Sequence, residues 1–392
     1  MGRGNIASQG EKQKVGRSMR SVDPQKQPVK EKGARLIAYY LPQYHPIPEN
    51  DEWWGKGFTE WTNTTKAKPL FRGHYQPHVP ADLGFYDLRL PEARAAQAEM
   101  AQVYGIEGFC YWHYWFAGRR ILERPFNEVL KSGEPKFPFC LAWANESWTG
   151  IWHGAADKML MEQTYPGKKD EEAHFYTLLE AFQDERYITI DGKPVFYVYK
   201  PHQVPEAKRF IEYWQELAIK SGLKGIYFIG EDHTMEWNPK RDGFDASVPH
   251  SPGLTFHKLL TSKEKPMQLM KMIKYYYFNR YIKRPNVFYY EDYIKEAAHD
   301  LSKEFLQYPS VLPNWDNTPR SGARGFVLID STPELFRIHL KKAIEKVIDR
   351  PLDKRVIFVK SWNEWAEGNH LEPDLKFGRA YLEVCRDEVL PK

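Results

Sequence analysis

Eight short apolar runs recur along the chain after residue 35, and their regular spacing restricts the possible folds more than any other feature. They lie at residues 36–41, 108–112, 139–143, 195–199, 226–229, 246–248, 311–313 and 356–359. Patterns typical of helices separate most of them, at 91–104, 171–183, 205–220, 292–306 and 333–348. This alternation predicts an α/β fold, a (β/α)8 TIM barrel with long aromatic-rich loops after its strands.

In such a barrel the active site lies at the carboxyl ends of the strands, so the residues that follow each run are candidate site residues. All eight runs are followed by polar or aromatic side chains, namely Gln43, Tyr44, His45, His113, Tyr114, Trp115, Asn145, Glu146, Lys200, His202, Glu231, Asp232, His233, His250, Asn314, Trp315, Asp316, Asn317, Asn363, Glu364 and Glu367. A doubly wound sheet would not need polar residues at all eight positions, which favours the barrel.

The last run leads into two glutamates, Glu364 and Glu367, which are the candidate catalytic residues. Positions three apart share a face of a helix, and in an extended chain their backbones are at most about 11 Å apart. Carboxyls this close raise the pKa of one of them, so that one serves as acid and the other as base, as glycosidic-bond cleavage requires. The alternative is a pair of solvated glutamates that cap a helix. The flanking Trp362 and Trp365 favour catalysis, since an indole face stacks well on a sugar ring.

The positive charge of the chain is concentrated at its N-terminal end. The whole sequence has a net charge of +4, and residues 1–33 contain eight Lys and Arg against three Asp and Glu. This segment has no aromatic residue and no apolar stretch of the signal-peptide type. We therefore predict a disordered basic tail at 1–33 and a single catalytic domain at 34–392. Binding of the tail to nucleic acid or to an anionic membrane is the alternative.

Cysteine content and hydropathy bear on compartment and cofactors. Cys110, Cys140 and Cys385 are odd in number and read as free thiols, which favours a reducing cytoplasm and leaves the periplasm and export open. No run approaches the roughly 18 apolar residues of a membrane span. The sequence also lacks zinc-type Cys/His spacing and any glycine loop of the dinucleotide or Walker type. We predict no transmembrane segment, no metal, no cofactor and no nucleic-acid substrate.

Aromatic residues make up 15% of the sequence, more than a core needs, and sugars commonly bind to such a surplus. One concentration lies in the long loop at 42–80, with Trp53, Trp54, Glu60 and Trp61. A second insertion, at 256–290, mixes tyrosines with Lys and Arg. We predict a lid helix there, and the alternatives are a nucleic-acid surface or a membrane-interface segment.

Five motifs in this order resemble those of the WbsX family, which is found in bacterial lipopolysaccharide and polysaccharide biosynthesis loci. They are YLPQYHPIPEN at 40–50, WWGKGFTEW at 53–61, YWHYW at 111–115, WANE at 143–146 and WNEWAEGN at 362–369. The resemblance covers about residues 35–381. That family is related to the endo-mannosidases of glycoside hydrolase family 99, which implies a metal-free (β/α)8 barrel that cleaves mannose-type glycans with retention.

The resemblance also assigns roles within the last motif. Glu364 would act as a base on the sugar 2-hydroxyl, giving an anhydro-sugar intermediate, and Glu367 would act as the acid on the leaving oxygen. Ala366 stands where the endo-mannosidases usually have histidine, and the loop at 145–148 departs slightly from the common WbsX pattern.

The sequence thus predicts a carbohydrate-active enzyme, a glycoside hydrolase that acts on an oligo- or polysaccharide. The candidate substrate-binding residues are Tyr44, His45, Trp54, Glu60, Trp61, His113, Trp115, Asn145, Glu146, Trp148, Glu231, His250, Asp316, Trp362, Asn363 and Trp365. Two other functions stay open: a glycosyltransferase of surface-polysaccharide synthesis, and a sugar-binding barrel without catalysis.

Overall fold

A barrel of parallel strands forms the centre of the computed structural model, which describes residues 33–150, 155–234, 236–261, 284–297 and 301–390. Its strands are β1 (Arg35–Tyr40), β2 (Ile106–Phe116), β3 (Phe139–Trp143), β4 (Lys193–Val198), β5 (Tyr227–Asp232), β6 (Ala246–Pro249), β7 (Ser310–Val311) and β8 (Val356–Val359). They follow one another around the sheet in sequence order, with β8 pairing with both β1 and β7. The predicted (β/α)8 barrel is confirmed.

The strands form where the sequence supplies short β-branched and aromatic runs. All four residues of β8 and all five of β3 are buried, because the barrel interior covers one face of each strand and helices cover the other. The same two-sided burial explains why these runs are continuously apolar and do not alternate with polar residues.

The barrel closes between β6 and the segment that precedes β7. The backbone N–H of Ser247 donates to the carbonyl of Leu306 (3.0 Å), and the N–H of Tyr308 donates to the carbonyl of Ser247 (2.8 Å). These two bonds supply the eighth junction of the sheet. They also require the chain to be extended at 306–308, which prevents a helix there.

Helices surround the barrel and also build the loops at its carboxyl end. They are α1 (Pro48–Trp54), α2 (Glu60–Lys66), α3 (Pro91–Val103), α4 (Arg124–Ser132), α5 (Lys168–Phe182), α6 (Ala207–Lys220), α7 (Gly253–Thr261), α8 (Tyr290–Glu296), α9 (Thr318–Ser321), α10 (Pro333–Glu345) and α11 (Ala380–Val389). Proline occupies the first turn of α3 and α10, where its missing N–H costs nothing. The helix predicted at 292–306 is wrong in its extent, because α8 ends at Glu296 and residues 301–306 are not helical.

The predictions for the lid helix, the N-terminal tail, the cysteines and a membrane span have the following outcomes. The lid helix predicted in the insertion at 256–290 falls largely at 262–283, outside the described residues, as does the tail at 1–32. Cys110, Cys140 and Cys385 are buried free thiols, as predicted. Within the described ranges, no helix combines the length and the apolar character that crossing a bilayer requires.

Candidate active site

A cleft of about 200 Å³ opens at the carboxyl end of the barrel. Loops that follow several different strands contribute to its walls, as the barrel architecture requires for a site at this end. Of the residues selected from the sequence, those that line the cleft are Gln43, Trp54, Glu60, Tyr114, Glu146, Trp148, Glu364 and Glu367. The two candidate catalytic glutamates therefore share one cavity with part of the predicted binding set.

Both glutamates lie in a short structured segment after β8. Glu364 ends the strand Asn363–Glu364, and Glu367 ends the 3-10 turn Trp365–Glu367. Gly368 follows with a φ of 56°, and a Cβ at this position would lie 2.9 Å from the Cβ of Asp316, so glycine is required. The backbone N–H of Asp316 donates to the carbonyl of Glu367 at 2.6 Å. The loop after β7 thereby fixes the turn that carries Glu367.

Asn363 and Tyr44 attach the same segment to the loop after β1. The side-chain oxygen of Asn363 accepts from the N–H of Leu41 (2.7 Å), and its amide nitrogen donates to the Leu41 carbonyl (3.1 Å). The Tyr44 hydroxyl donates to the carbonyl of Asn363. Asn363 and Tyr44 are fully buried. Both were predicted to bind substrate, and in the structure they support the glutamate segment from behind the cleft.

The guanidinium of Arg320, on α9 after β7, joins three glutamates. Its Nη1 lies 2.7 Å from Glu367, its Nη2 lies 3.0 Å from Glu364, and its Nε lies 2.8 Å from Glu60. The three carboxylates thus come from α2 and from the segment after β8. Because the guanidinium is planar and rigid, it also fixes the relative positions of the carboxylates.

This cluster changes the protonation of Glu364. The pKa of Glu364 is raised from 4.5 to about 7; burial is the main cause, Arg320 opposes the rise, and the carboxylates of Glu367 and Glu60 add to it. The pKa of Arg320 is raised despite its burial, because three carboxylates surround it. A carboxyl with a pKa near 7 exchanges its proton readily at neutral pH, which is the property that acid or base catalysis needs.

Aromatic side chains form the apolar part of the cleft. Trp54, Tyr114 and Trp148 were predicted, and Trp112 and Tyr199 also line the cavity. The ring of Trp148 meets the ring of Tyr114 edge to face at 5.1 Å, and Trp112 meets Tyr199 in the same way at 5.7 Å. Such packing orients the rings rigidly, so their free faces are available to an apolar sugar face.

Asn145 and Glu146 follow β3 and have different positions. Asn145 is buried and bridges β3 to the start of the loop after β4, since its side chain accepts from the N–H of Lys200 (2.7 Å) and donates to the carbonyl of Lys200 (2.8 Å). Glu146 faces the cleft, and its carboxylate lies 3.2 Å from the Lys200 ammonium. Only Glu146 is therefore placed to contact a ligand directly.

Four predicted tryptophans, Trp61, Trp115, Trp362 and Trp365, are buried and pack in the protein interior. The Trp365 ring stacks on His370 at 3.7 Å, and its Nε1 donates to Glu372 at 2.6 Å. They stabilise the loops behind the cleft and present no stacking face to it.

Two of the three predicted histidines, His113 and His250, hydrogen-bond to groups inside the protein. His45 is buried, and burial lowers its pKa to about 4. His113 lies 2.8 Å from His174 through their Nε2 atoms. His250 Nδ1 lies 2.6 Å from Glu231, which also accepts from the Tyr197 hydroxyl. His113 and His250 are therefore satisfied by protein groups.

Asp316 is almost fully buried behind the turn that carries Glu367. One of its carboxylate oxygens lies 2.6 Å from His74 Nε2 and 2.7 Å from Gln76 Nε2, and the other accepts from Thr318. Burial raises its pKa, but these hydrogen bonds outweigh that effect and lower it. Asp316 therefore holds loops together and does not line the cleft.

Two groups in the described part of the chain have the spacing of metal ligands. One is His78 with His370 and Asp374, and the other is Glu231 with His233 and His250. In the first, His78 Nδ1 and His370 Nε2 are 2.9 Å apart and hydrogen-bond each other. In the second, the His233 and His250 rings stack at 4.1 Å, so their in-plane lone pairs do not converge well on one ion. Hydrogen bonding accounts for both groups, and the prediction of metal-free chemistry stays a prediction.

The most important residue that the sequence analysis missed is Arg320. It lies three positions beyond Asn317, the last candidate residue after β7, and its contacts with glutamates 260 and 44 positions away leave no local signal. Lys360 also lines the cleft and was visible as the first polar residue after the apolar run of β8.

Family comparison gives a match over nearly all of the chain. The profile of the family described as "Glycosyltransferase WbsX" matches residues 36–385. Two proteins of Xanthomonas campestris pv. campestris, from strains B100 and ATCC 33913, both named "Uncharacterized protein WxcX", are 35% identical over 361 and 363 residues. These matches cover 91% of this chain and 50% of the relatives, so the chain spans about half their length.

Solved structures with the same fold include a "Glycoside hydrolase-like protein", with a TM-score of 0.58, 14% identity and coverage of 93% of this chain and 96% of that one. The endo-alpha-mannosidase of family GH99 from Bacteroides thetaiotaomicron, in complex with bis-tris-propane, has a TM-score of 0.51 and 15% identity over 90% of this chain and 95% of that one. At this level of identity the likeness establishes the fold.

Proposed function

The chain belongs to the WbsX family, and from that premise we propose that it is a glycoside hydrolase in which Glu364 and Glu367 carry the chemistry. The observation that supports this most directly is the placement of both carboxyls in one aromatic-walled cleft at the carboxyl end of a barrel. The proposed substrate is an oligo- or polysaccharide of mannose-type or other microbial or plant origin, cleaved with retention.

In the proposed reaction Glu364 removes the proton from the sugar 2-hydroxyl. The freed oxygen attacks the anomeric carbon while the leaving oxygen takes a proton from Glu367. Water then opens the anhydro-sugar, giving a proton to Glu367 as it attacks, and the 2-oxygen recovers its proton from Glu364. Two inversions give net retention, and both glutamates return to their starting states.

The pKa of Glu364 supports its assignment as the base. A sugar hydroxyl is a weak acid, and a carboxylate whose pKa is about 7 is a stronger base than an ordinary glutamate, although only about half of it is ionised at pH 7. The rings of Trp54 and Trp148 supply apolar surfaces on which the flanking sugars can stack.

Glycosyl transfer is the second candidate, and the family description favours it. Against it, the sequence contains neither a phosphate-binding glycine loop nor an Asp-x-Asp metal motif, which ordinary nucleotide-sugar chemistry uses. Calorimetric titration with nucleotide sugars separates the two proposals. Tight and specific binding of one nucleotide sugar, with no hydrolysis of any glycan, would replace the hydrolase proposal.

The hydrolase proposal is tested on the purified protein with a panel of microbial and plant polysaccharides, using proton NMR to identify the first anomer released. Glu364→Gln and Glu367→Gln are each expected to lower kcat by about 100-fold or more, because each removes a positioned proton-transfer group. Glu180→Gln, an exposed change on α5, is the matched control and is expected to keep full activity. Unchanged turnover in Glu364→Gln or Glu367→Gln would contradict the assignment of that glutamate as a catalytic group.

A further inference from the structure

Arg320 is placed where it contacts both proposed catalytic groups and a third carboxylate. Its side chain is 17% exposed, and the side chains of Glu60, Glu364 and Glu367 are 2%, 9% and 15% exposed. Each guanidinium nitrogen faces a different carboxylate. The arrangement therefore differs from an ordinary ion pair, because one positive charge is shared among three negative ones.

The charges of this cluster do not balance if every carboxyl is ionised. Lys360 adds a second positive charge just after β8, and this charge also acts on the carboxylate of Glu231, which lies outside the cluster. Three carboxylates against two cations leave an excess negative charge in a poorly solvated cavity, which is unfavourable. Arginine does not lose its proton in proteins, so the excess is relieved when one carboxyl binds a proton.

Burial and hydrogen bonding indicate which carboxyl this is, because the Glu364 side chain is less exposed than that of Glu367 (9% against 15%) and Glu60 accepts a second hydrogen bond. Glu367 has the shortest contact with the guanidinium (2.7 Å), and Glu60 has a contact of 2.8 Å together with a hydrogen bond from Asn63. Glu364 has the longest, 3.0 Å. The other charged groups that act on Glu364 are Glu367, Glu60 and Lys360. Burial raises the pKa of Tyr44, Tyr114 and Tyr199, and the charge of Glu364 in turn raises it further.

We infer that Arg320 is a positioning residue for the glutamate pair, and that the one proton shared among its three carboxylate partners resides on Glu364 in the ligand-free protein. The catalytic consequence rests on the proposed function. There Glu364 must be the base and Glu367 the acid, so one proton has to move from Glu364 to Glu367 when substrate binds. Sugar hydroxyls that enter the cluster and weaken the Arg320–Glu367 contact would permit that transfer.

The ligand-free assignment is tested without any substrate, by infrared difference spectroscopy of the protonated carboxyl stretch during a pH titration of the full chain. The wild-type protein is expected to lose acid signal near pH 7 from Glu364 and from the buried Glu372, whose pKa burial also raises to about 7. Glu364→Gln is expected to remove part of this signal, and Glu367→Gln is expected to retain it with a lower midpoint, since a like charge is lost. Loss of the signal in Glu367→Gln with retention in Glu364→Gln would overturn the inference.

Two further changes have opposite expected signs, which a general disturbance of the fold would not produce. Arg320→Met is expected to raise the midpoint of the Glu364 signal by about one pH unit or more, since an opposite charge is lost. Glu60→Gln is expected to lower it, since a like charge is lost. An unchanged midpoint in Arg320→Met overturns the inference.

Arg320→Lys covers the case in which Arg320→Met does not fold, as judged by circular dichroism. A lysine keeps the charge but concentrates it on one nitrogen of a shorter side chain, which cannot span the three carboxylates as the planar guanidinium does. A smaller rise is therefore expected, and no rise would contradict the role of the guanidinium. Because these measurements need no glycan, a negative result here is distinct from failure to find a hydrolysed substrate.

Discussion

Glu364 links the chemistry of the cleft to the stability of the fold. Its pKa is about 7 in the folded protein and about 4.5 when it is solvated. The folded state therefore binds the proton more tightly than the unfolded state, and the free energy of unfolding falls as pH rises from about 4.5 to 7. A shift of this size corresponds to a loss on the order of 3 kcal/mol.

Glu364→Gln should remove this pH dependence, because an amide does not titrate. Relative to wild type, the variant is expected to be more stable at pH 8 than at pH 5 by an amount on the order of 3 kcal/mol. Urea unfolding at the two pH values measures the difference, with Glu180→Gln as the control. Equal pH dependence in wild type and Glu364→Gln would contradict the raised pKa.

Residue identity predicted the cleft-lining positions well for the glutamates after β3 and β8, and less well for the histidines. Glu364, Glu367 and Glu146 line the cleft, whereas His113 turns toward His174. The imidazole of a histidine near the end of a strand can hydrogen-bond either to substrate or to a buried protein group. A single sequence does not show which of these partners is near. The role of Arg320 could not be predicted from its neighbours in the sequence, because it depends on glutamates far away in the chain.

Among the elements, β2 packs against the turn that precedes β3 so closely that it has no room for a side chain at Gly108. A Cβ there would lie 2.5 Å from the carbonyl oxygen of Pro138 and 2.8 Å from the Cδ1 of Ile188. Gly108→Ala is expected to cost about 3 kcal/mol of unfolding free energy, because the backbone oxygen cannot move aside. Urea unfolding measures the loss.

Gly84→Ala is the matched control for this prediction. Nothing lies within 4 Å of a Cβ at Gly84, and only its φ of 62° opposes alanine, at a cost of about 1 kcal/mol. Equal losses in the two variants would mean that the contact with Pro138 is not the cause.

The elements that the sequence predicted best are those with a strong local pattern. The run at 333–348 has an N-terminal proline and a threonine cap, and the structure contains a helix at Pro333–Glu345. The pattern at 292–306 is equally typical of a helix. However, the hydrogen bonds that join β6 to the segment before β7 need extended backbone at Leu306 and Tyr308. Tertiary hydrogen bonds thus override local propensity there.

At the scale of the whole molecule, the boundary near residue 33 is a prediction that truncation tests. The N–H of Gly33 donates to the carbonyl of Val389 (3.0 Å), and β1 begins at Arg35. A chain that starts at residue 33 keeps these contacts and is expected to melt at the same temperature as the full chain.

A chain that starts at residue 38 is the control for this truncation. It loses Arg35, Leu36 and Ile37 from β1, including two fully buried apolar side chains, and is expected to melt at a clearly lower temperature. Calorimetry of the full chain and of the two truncated chains measures the three melting temperatures. A large loss on removing residues 1–32 alone would contradict the predicted boundary.

The sequence by itself determined the barrel and the end at which its cleft opens. Continuous apolar runs are required wherever a strand is buried on both faces, and the polar residues that follow them mark the carboxyl ends. The family motifs were equally readable, since they are local strings. Only the tertiary structure decided which of those polar side chains face the cleft, that Trp362 and Trp365 are buried, and that Arg320 joins Glu60, Glu364 and Glu367. The physical reason is that burial, pKa and ion pairing depend on distances between residues that are remote in the chain.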